Sequence, residues 1–154
     1  VSVPMVDFWV VVIANLFNIF LAIMFLLRVF KPGKLASAFG WISVGMAIPL
    51  GIAAWYNVSQ GRAWNFWVLP LVTVLYCVVE FCLDGIFQVD FRHNRWLGIY
   101  LLVYYAGLLA LIGYAFCVNS TSGFITLITY FINLAATAFS YSRVKHGKET
   151  QHVA

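Results

Sequence analysis

The sequence predicts an all-α polytopic membrane protein with five transmembrane helices, and three observations predict it. The first is composition. Of 154 residues, 64% are hydrophobic and 9% charged, against about 45–50% and about 25% in a soluble domain. Mean hydropathy is +0.94. Nine basic and five acidic side chains cannot cover a water-facing surface of this size, which excludes a soluble globular domain and intrinsic disorder. Three cysteines are too few for a disulfide-built scaffold. The second observation is five apolar windows, and the third is the placement of the basic residues between them.

A spanning helix needs about 20 mostly apolar residues, because the hydrocarbon core is about 30 Å thick and each residue rises about 1.5 Å. The first window, 8–30, carries no charge before Arg28 and includes Asn15 and Asn18. It lacks a basic leading region and a small-residue cleavage site, so it reads as a retained helix. The second, 35–56, is uncharged, with small residues at Ala36, Gly40, Ala47, Gly51 and Ala54 and a kinking Pro49. The third, 66–89, contains Pro70 and the acids Glu80 and Asp84. The fourth, 96–118, is uncharged, and its Ala106, Ala110 and Gly113 form a second small-residue seam. Small residues let helices approach closely in lipid, where packing rather than apolar burial drives association. The fifth, 124–141, is short enough to require little tilt. Together they predict a single five-helix transmembrane domain over residues 1–154.

The connections fit. Lys31-Pro32-Gly33-Lys34 resists helix continuation, and Ser59-Gln60-Gly61 and Asn119-Ser120-Thr121-Ser122-Gly123 read as polar linkers. Two sequons, Asn57-Val58-Ser59 and Asn119-Ser120-Thr121, sit hard against helix ends. Turn chemistry explains them as well as glycosylation does.

Basic residues concentrate in cytoplasmic loops. Arg28, Lys31, Lys34, Arg92, Arg95, Arg143, Lys145 and Lys148 fall on one side and Arg62 alone on the other. The N-terminus is therefore expected outside and the C-terminus in the cytoplasm, in a plasma (inner) membrane. Trp9, Trp55, Trp64 and Trp67 fall at outer boundaries and Trp96 at an inner one, where indole rings anchor at headgroup level.

Polar residues inside the windows point to the functional interior. Thr73, Cys77, Glu80, Asp84 and Gln88 recur at steps of three and four and share a face of the third span. Thr126, Thr129, Asn133, Thr137 and Ser140 do so on the fifth. An unsatisfied polar group in hydrocarbon costs several kcal/mol, so the first, third and fifth spans are expected around one shared polar interior. From the outer ends, Asn18 and Asn133 lie about 14–15 Å down and Glu80 about 21 Å, with Tyr104 near the same level. Asp84 and Arg28, at about 27 and 30 Å, are expected to pair near the inner boundary.

An intramembrane carboxyl costs roughly 2.5–3.5 kcal/mol to insert and marks a functional site by default. The expected function is therefore binding or translocation of a small ligand, proton or cation. The expected site is centred on Glu80, with Asp84, Asn18, Asn133, Tyr104 and Thr137 around it. Arg92, His93 and Arg95, in the third loop, are expected to contact lipid headgroups. Two other classes compete: a non-catalytic subunit or scaffold of a larger membrane complex, and a lipid-active enzyme using the acids and the third loop. The sequence holds no HExxH, CxxC, phosphate-cradling glycine loop or nucleophile elbow, so a non-enzymatic reading leads and no metal or named cofactor is implied. The expected partners are the lipid bilayer and either a second copy or other membrane subunits, not nucleic acid.

Overall fold

The structure is a computed structural model and describes residues 4–30, 34–87 and 97–151. Every regular element among them is helical: α1 (Met5–Phe30), α2 (Lys34–Gly45), α3 (Ala47–Ser59), α4 (Asn65–Glu80), α5 (Leu97–Val118) and α6 (Ser120–Gln151), with a π-helical segment, Phe81–Phe87, continuing α4. Five stretches are long and apolar enough to cross a membrane: Met5–Phe30, Lys34–Ser59, Asn65–Leu83, Gly98–Val118 and Ser120–Arg143.

Local chemistry explains the interruptions. Asp7 in the first turn of α1 and Arg28 in its last match the helix dipole. The second span breaks at Met46, whose N–H is shared between the carbonyls of Ile42 and Ser43. Pro49 then lies in the first turn of α3, where its missing N–H leaves no bond unmade. Pro70 sits inside α4 without ending it. The α4 backbone changes to π-helical geometry immediately after Glu80.

The fifth span corrects the sequence reading. No five-residue linker precedes it: Asn119 alone separates α5 from α6, and its side-chain oxygen accepts from the Ser122 N–H at 2.8 Å, as an N-cap does. Gly123 falls in the first turn of α6, where a Cβ would come within 2.3 Å of the Phe116 ring. Any larger residue there must push the Phe116 ring aside. At its other end α6 does not stop at Tyr141 but runs to Gln151, because the polar residues that end the apolar window, such as Arg143 and Lys145, are good helix formers.

α1 and α5 form the centre. They bury 39% and 44% of their most apolar stretches, against 17–22% for the other spans. α1 packs most extensively on α6 and also on α2 and α5, while α5 packs on α4 and α6, and α4 on α3. Phe17, Leu21, Leu50, Leu108, Leu111 and Tyr114 fill the interior. Ile48, Trp55, Leu102 and Ile128 are among the many large apolar side chains that face outward. An apolar surface of that extent fits lipid rather than water.

This packing overturns one expectation. The third span and the fifth share no extensive packing; α4 and α6 each lean on α5. A helical stripe fixes which residues share a face, but not which neighbour that face meets.

Candidate functional site

Three polar clusters occupy the bundle, one at each end and one between. At the end where α1 begins, Asp7 is 2% exposed and receives the Arg62 guanidinium in a two-pronged contact, Nη1 to Oδ1 at 2.6 Å and Nη2 to Oδ2 at 2.8 Å. Arg62 Nη1 also donates to Asn57 Oδ1 at 2.7 Å, and its guanidinium lies 3.9 Å from the Phe66 ring centroid. The Tyr114 hydroxyl donates to Asp7 Oδ1 at 2.6 Å, and Asn57 Nδ2 donates to the Phe66 carbonyl at 2.8 Å. The hydrogen bond to Asp7, outweighing desolvation, holds the Arg62 pKa above its usual value.

The chain places Arg62 by ending α3 with a left-handed glycine. Gly61 has φ +61°, the Gly61 N–H bonds the Val58 carbonyl, and the Arg62 N–H bonds that of Asn57. That pair is a Schellman ending, and it folds Arg62 back over the helix it has just left. Neither Asp7 nor the arginine's role was foreseen: Asp7 lies just before the first apolar window, and Arg62 registered only as a topology charge. The readable signal was one acid and one base at the same end of the chain's hairpins. Asn57, fully buried and bonded, is closed to glycosylation in this fold.

The second cluster joins α1 to α6. Asn15 Nδ2 donates to Thr126 Oγ1 at 3.2 Å, Thr129 Oγ1 donates to Asn15 Oδ1 at 2.9 Å, and Asn18 Nδ2 donates to Thr129 Oγ1 at 3.2 Å. The Asn18 carbonyl oxygen is buried with no hydrogen-bond partner. This ladder is a helix-to-helix fastening of the kind apolar surroundings favour.

The third cluster contains Glu80. The Tyr100 hydroxyl hydrogen-bonds the Glu80 carboxyl and also the Tyr76 hydroxyl. The rings of Tyr76 and Tyr104 meet edge-on at 5.3 Å, and Tyr100 stacks on Tyr104 at 6.4 Å. Tyr104 in turn accepts from Asn133 Nδ2 at 3.1 Å, and Thr137 bonds the Asn133 carbonyl. A tyrosine relay on α4 and α5 therefore links Glu80 to the lower part of the α6 stripe. On its other side Glu80 borders a cavity of about 150 Å³ shared with Arg28, Ser37, Gly40, Trp41 and Val44.

Of the expected site residues, Glu80, Tyr104, Asn133 and Thr137 fall in this connected cluster. Asn18 does not hydrogen-bond into it; its side-chain amide bonds Thr129 in the α1–α6 ladder, one turn of α6 from Asn133. Arg28, expected opposite Asp84, shares the Glu80 cavity. The Asp84 backbone lies in the π-helical segment, its side chain lies outside the described residues, and so do Arg92, His93 and Arg95. Among the described residues no group of three or more His, Cys, Asp or Glu gathers as a metal site would require. No protein-family model matches the chain, and neither a curated protein nor a solved structure does.

Proposed function

We propose that the chain is an integral membrane protein, outside at its N-terminus and cytoplasmic at its C-terminus, that binds or passes a small ligand, proton or cation at Glu80. The observation that carries this reading is the shared cavity: Glu80 and Arg28, an acid and a base, border one space between α1, α2 and α4. Two further features support it. π-helical turns recur at functional sites, and one begins at the residue after Glu80. The tyrosine cluster gives the carboxyl several polar and aromatic neighbours inside the bundle rather than a single structural contact.

The orientation rests on charge. Eight Lys and Arg fall at one end and Arg62 alone at the other, and such a bias marks the cytoplasmic side. An impermeant maleimide should label a Ser120→Cys variant, in a background lacking the native cysteines, from outside intact cells.

Glu80→Gln tests the function in reconstituted vesicles. Lost binding or lost proton or cation flux, with helicity and oligomeric state unchanged, is the expected result. A variant that keeps every flux but drops out of a larger complex would instead mark a non-catalytic subunit, the second reading.

A further inference from the structure

We infer that a single buried water molecule bridges the side-chain amides of Asn18 on α1 and Asn133 on α6. The site stands apart from Glu80 and does not depend on its role. A count of protons in the α1–α6 ladder leads to it. Asn15 Nδ2 gives its two N–H groups to the Val11 carbonyl at 2.8 Å and to Thr126 Oγ1 at 3.2 Å. Thr126 gives its own hydroxyl proton to the Ser122 carbonyl. Of the ladder's donors only the Thr129 hydroxyl is left for the amide oxygens of Asn15 and Asn18, and one proton cannot serve both. Asn15 Oδ1 and the Thr126 carbonyl, each at 2.9 Å, compete for that proton, and Asn18 instead donates its N–H to Thr129 Oγ1. The Asn18 oxygen is therefore the one left over, buried without a hydrogen-bond partner in a side chain that has no exposed surface. Turning the Asn18 amide over does not remove the deficit. It hands the Thr129 proton to Asn18 and strands Asn15 instead.

The chemistry of the site selects its occupant. An acceptor without a donor is costly in apolar surroundings, so the occupant must bring a proton to share. An apolar solute brings none. A cation would find the other oxygens of the ladder already engaged, and no carboxyl among Asn15, Asn18, Thr126 and Thr129 to balance its charge. A water brings two donors and is held by about two to four polar partners. The second partner lies one turn along α6. Asn133 is four residues from Thr129, a spacing that puts two Cβ atoms about 5–6 Å apart on one helix face. Asn18 and Asn133 also lie at the same depth, each about 20 Å from the start of its helix. The Asn133 amide oxygen is itself poorly served, because the Thr137 hydroxyl gives its proton to the Asn133 backbone carbonyl at 2.8 Å and stands 3.5 Å from Oδ1. Two under-served amide oxygens one helical turn apart match the two protons of one water. Through the bond from Asn133 to Tyr104, that water ties α1 to both α5 and α6.

The test uses the full chain with isotope-labelled asparagine in bilayers of deuterated phosphatidylcholine. Solid-state NMR follows magnetisation passing from water protons to each side-chain amide. Asn18 and Asn133 should fill several-fold faster than Asn15. Asn15 touches the same Thr129 hydroxyl, so exchange relayed through that hydroxyl would fill Asn15 as fast as Asn18. Equal build-up at Asn15 and Asn18, fast or slow, overturns the proposal. Asn18→Leu should slow Asn133 to the rate of Asn15 in the parent protein, with circular dichroism and size exclusion confirming the fold. An unchanged Asn133 overturns the bridge. If Asn18→Leu does not fold, Asn133→Leu reads the same bridge from the other side, by slowing Asn18. Replacing sodium by potassium in the buffer should move neither amide signal; a shift at Asn18 would make the occupant a cation and overturn the water.

Discussion

The two ends of the bundle handle buried charge in opposite ways. At the proposed outer end, Asp7, Arg62, Asn57 and Tyr114 satisfy one another within 3.4 Å, and the guanidinium is covered by the Phe66 ring. At the proposed inner end, Arg28 and Glu80 line a pocket together, and the helix bearing the acid changes its hydrogen-bonding pattern beside it. A closed cluster has every donor and acceptor assigned and nothing left to offer a ligand. An open one leaves room for an occupant. The outer cluster therefore reads as a fastening that ties α1, α3 and α5 together, and the inner one as a place of exchange.

The strongest way to break the comparison is to open the fastening. Asp7→Ala strips a half-buried guanidinium and the buried Tyr114 hydroxyl of their acceptor, and should cost about 2–3 kcal/mol in reversible unfolding in detergent. Replacing both partners, Asp7→Leu with Arg62→Met, should cost less than the sum of the single changes, because neither charge is stranded. If the two changes add without coupling, the ion pair is not the fastening.

The same cluster predicts a pH response. A base whose pKa is raised on folding contributes stability that is complete below its unfolded pKa and is lost only as pH rises through the folded value. The Arg62 pKa is raised by its hydrogen bond to Asp7, so the contribution of Arg62 should stay constant from pH 7 to pH 10. The unfolding difference between the parent protein and Arg62→Met, followed across that range, checks this.

Next in size is Gly123→Ala, also at the outer end. Its Cβ would meet the Phe116 ring at 2.3 Å, and overpacking of this kind costs about 1–3 kcal/mol. Phe116 is 40% exposed, so the ring has somewhere to go and the low end of that range is expected. Adding Phe116→Leu should recover most of the loss. At the inner end, Glu80→Gln should change stability by less than about 1 kcal/mol, since an amide oxygen still accepts from Tyr100, while removing function. A large loss of stability there would make Glu80 a fastening too and erase the contrast. Smallest of all is Asn18→Ala, in the ladder between the two ends. It should cost about 0.6 kcal/mol, the average for a hydrogen bond between membrane helices, measured by the same unfolding assay.

The spans were legible in the sequence because their signal is local: an apolar run of the right length is a helix whatever it touches. That the polar stripes of the first and fifth spans turn inward was legible too, since Asn15, Asn18, Thr126 and Thr129 all need partners, but which helix each stripe meets was not. Assigning Glu80 and Asn18 to one interior failed because periodicity orients a face without naming its neighbour, and α5 stands between α4 and α6. The Asp7–Arg62 cluster escaped notice because its members sit outside the apolar windows and meet through a Schellman turn at Gly61, across 55 residues of chain. Tyr100 escaped because a tyrosine in an uncharged span resembles packing until an acid is found beside it.

The length of α6 has a practical consequence for imaging. Its 32 residues make a rod of about 48 Å, longer than the about 30 Å of a hydrocarbon layer, so in the proposed membrane setting the final turns would emerge as a helical stalk. A rigid fiducial grafted in helical phase after Gln151 would inherit the orientation of the bundle rather than swing on a tether. For a chain of 17.4 kDa, that fiducial would supply the alignment mass that electron microscopy otherwise lacks, and the stalk its rigid attachment.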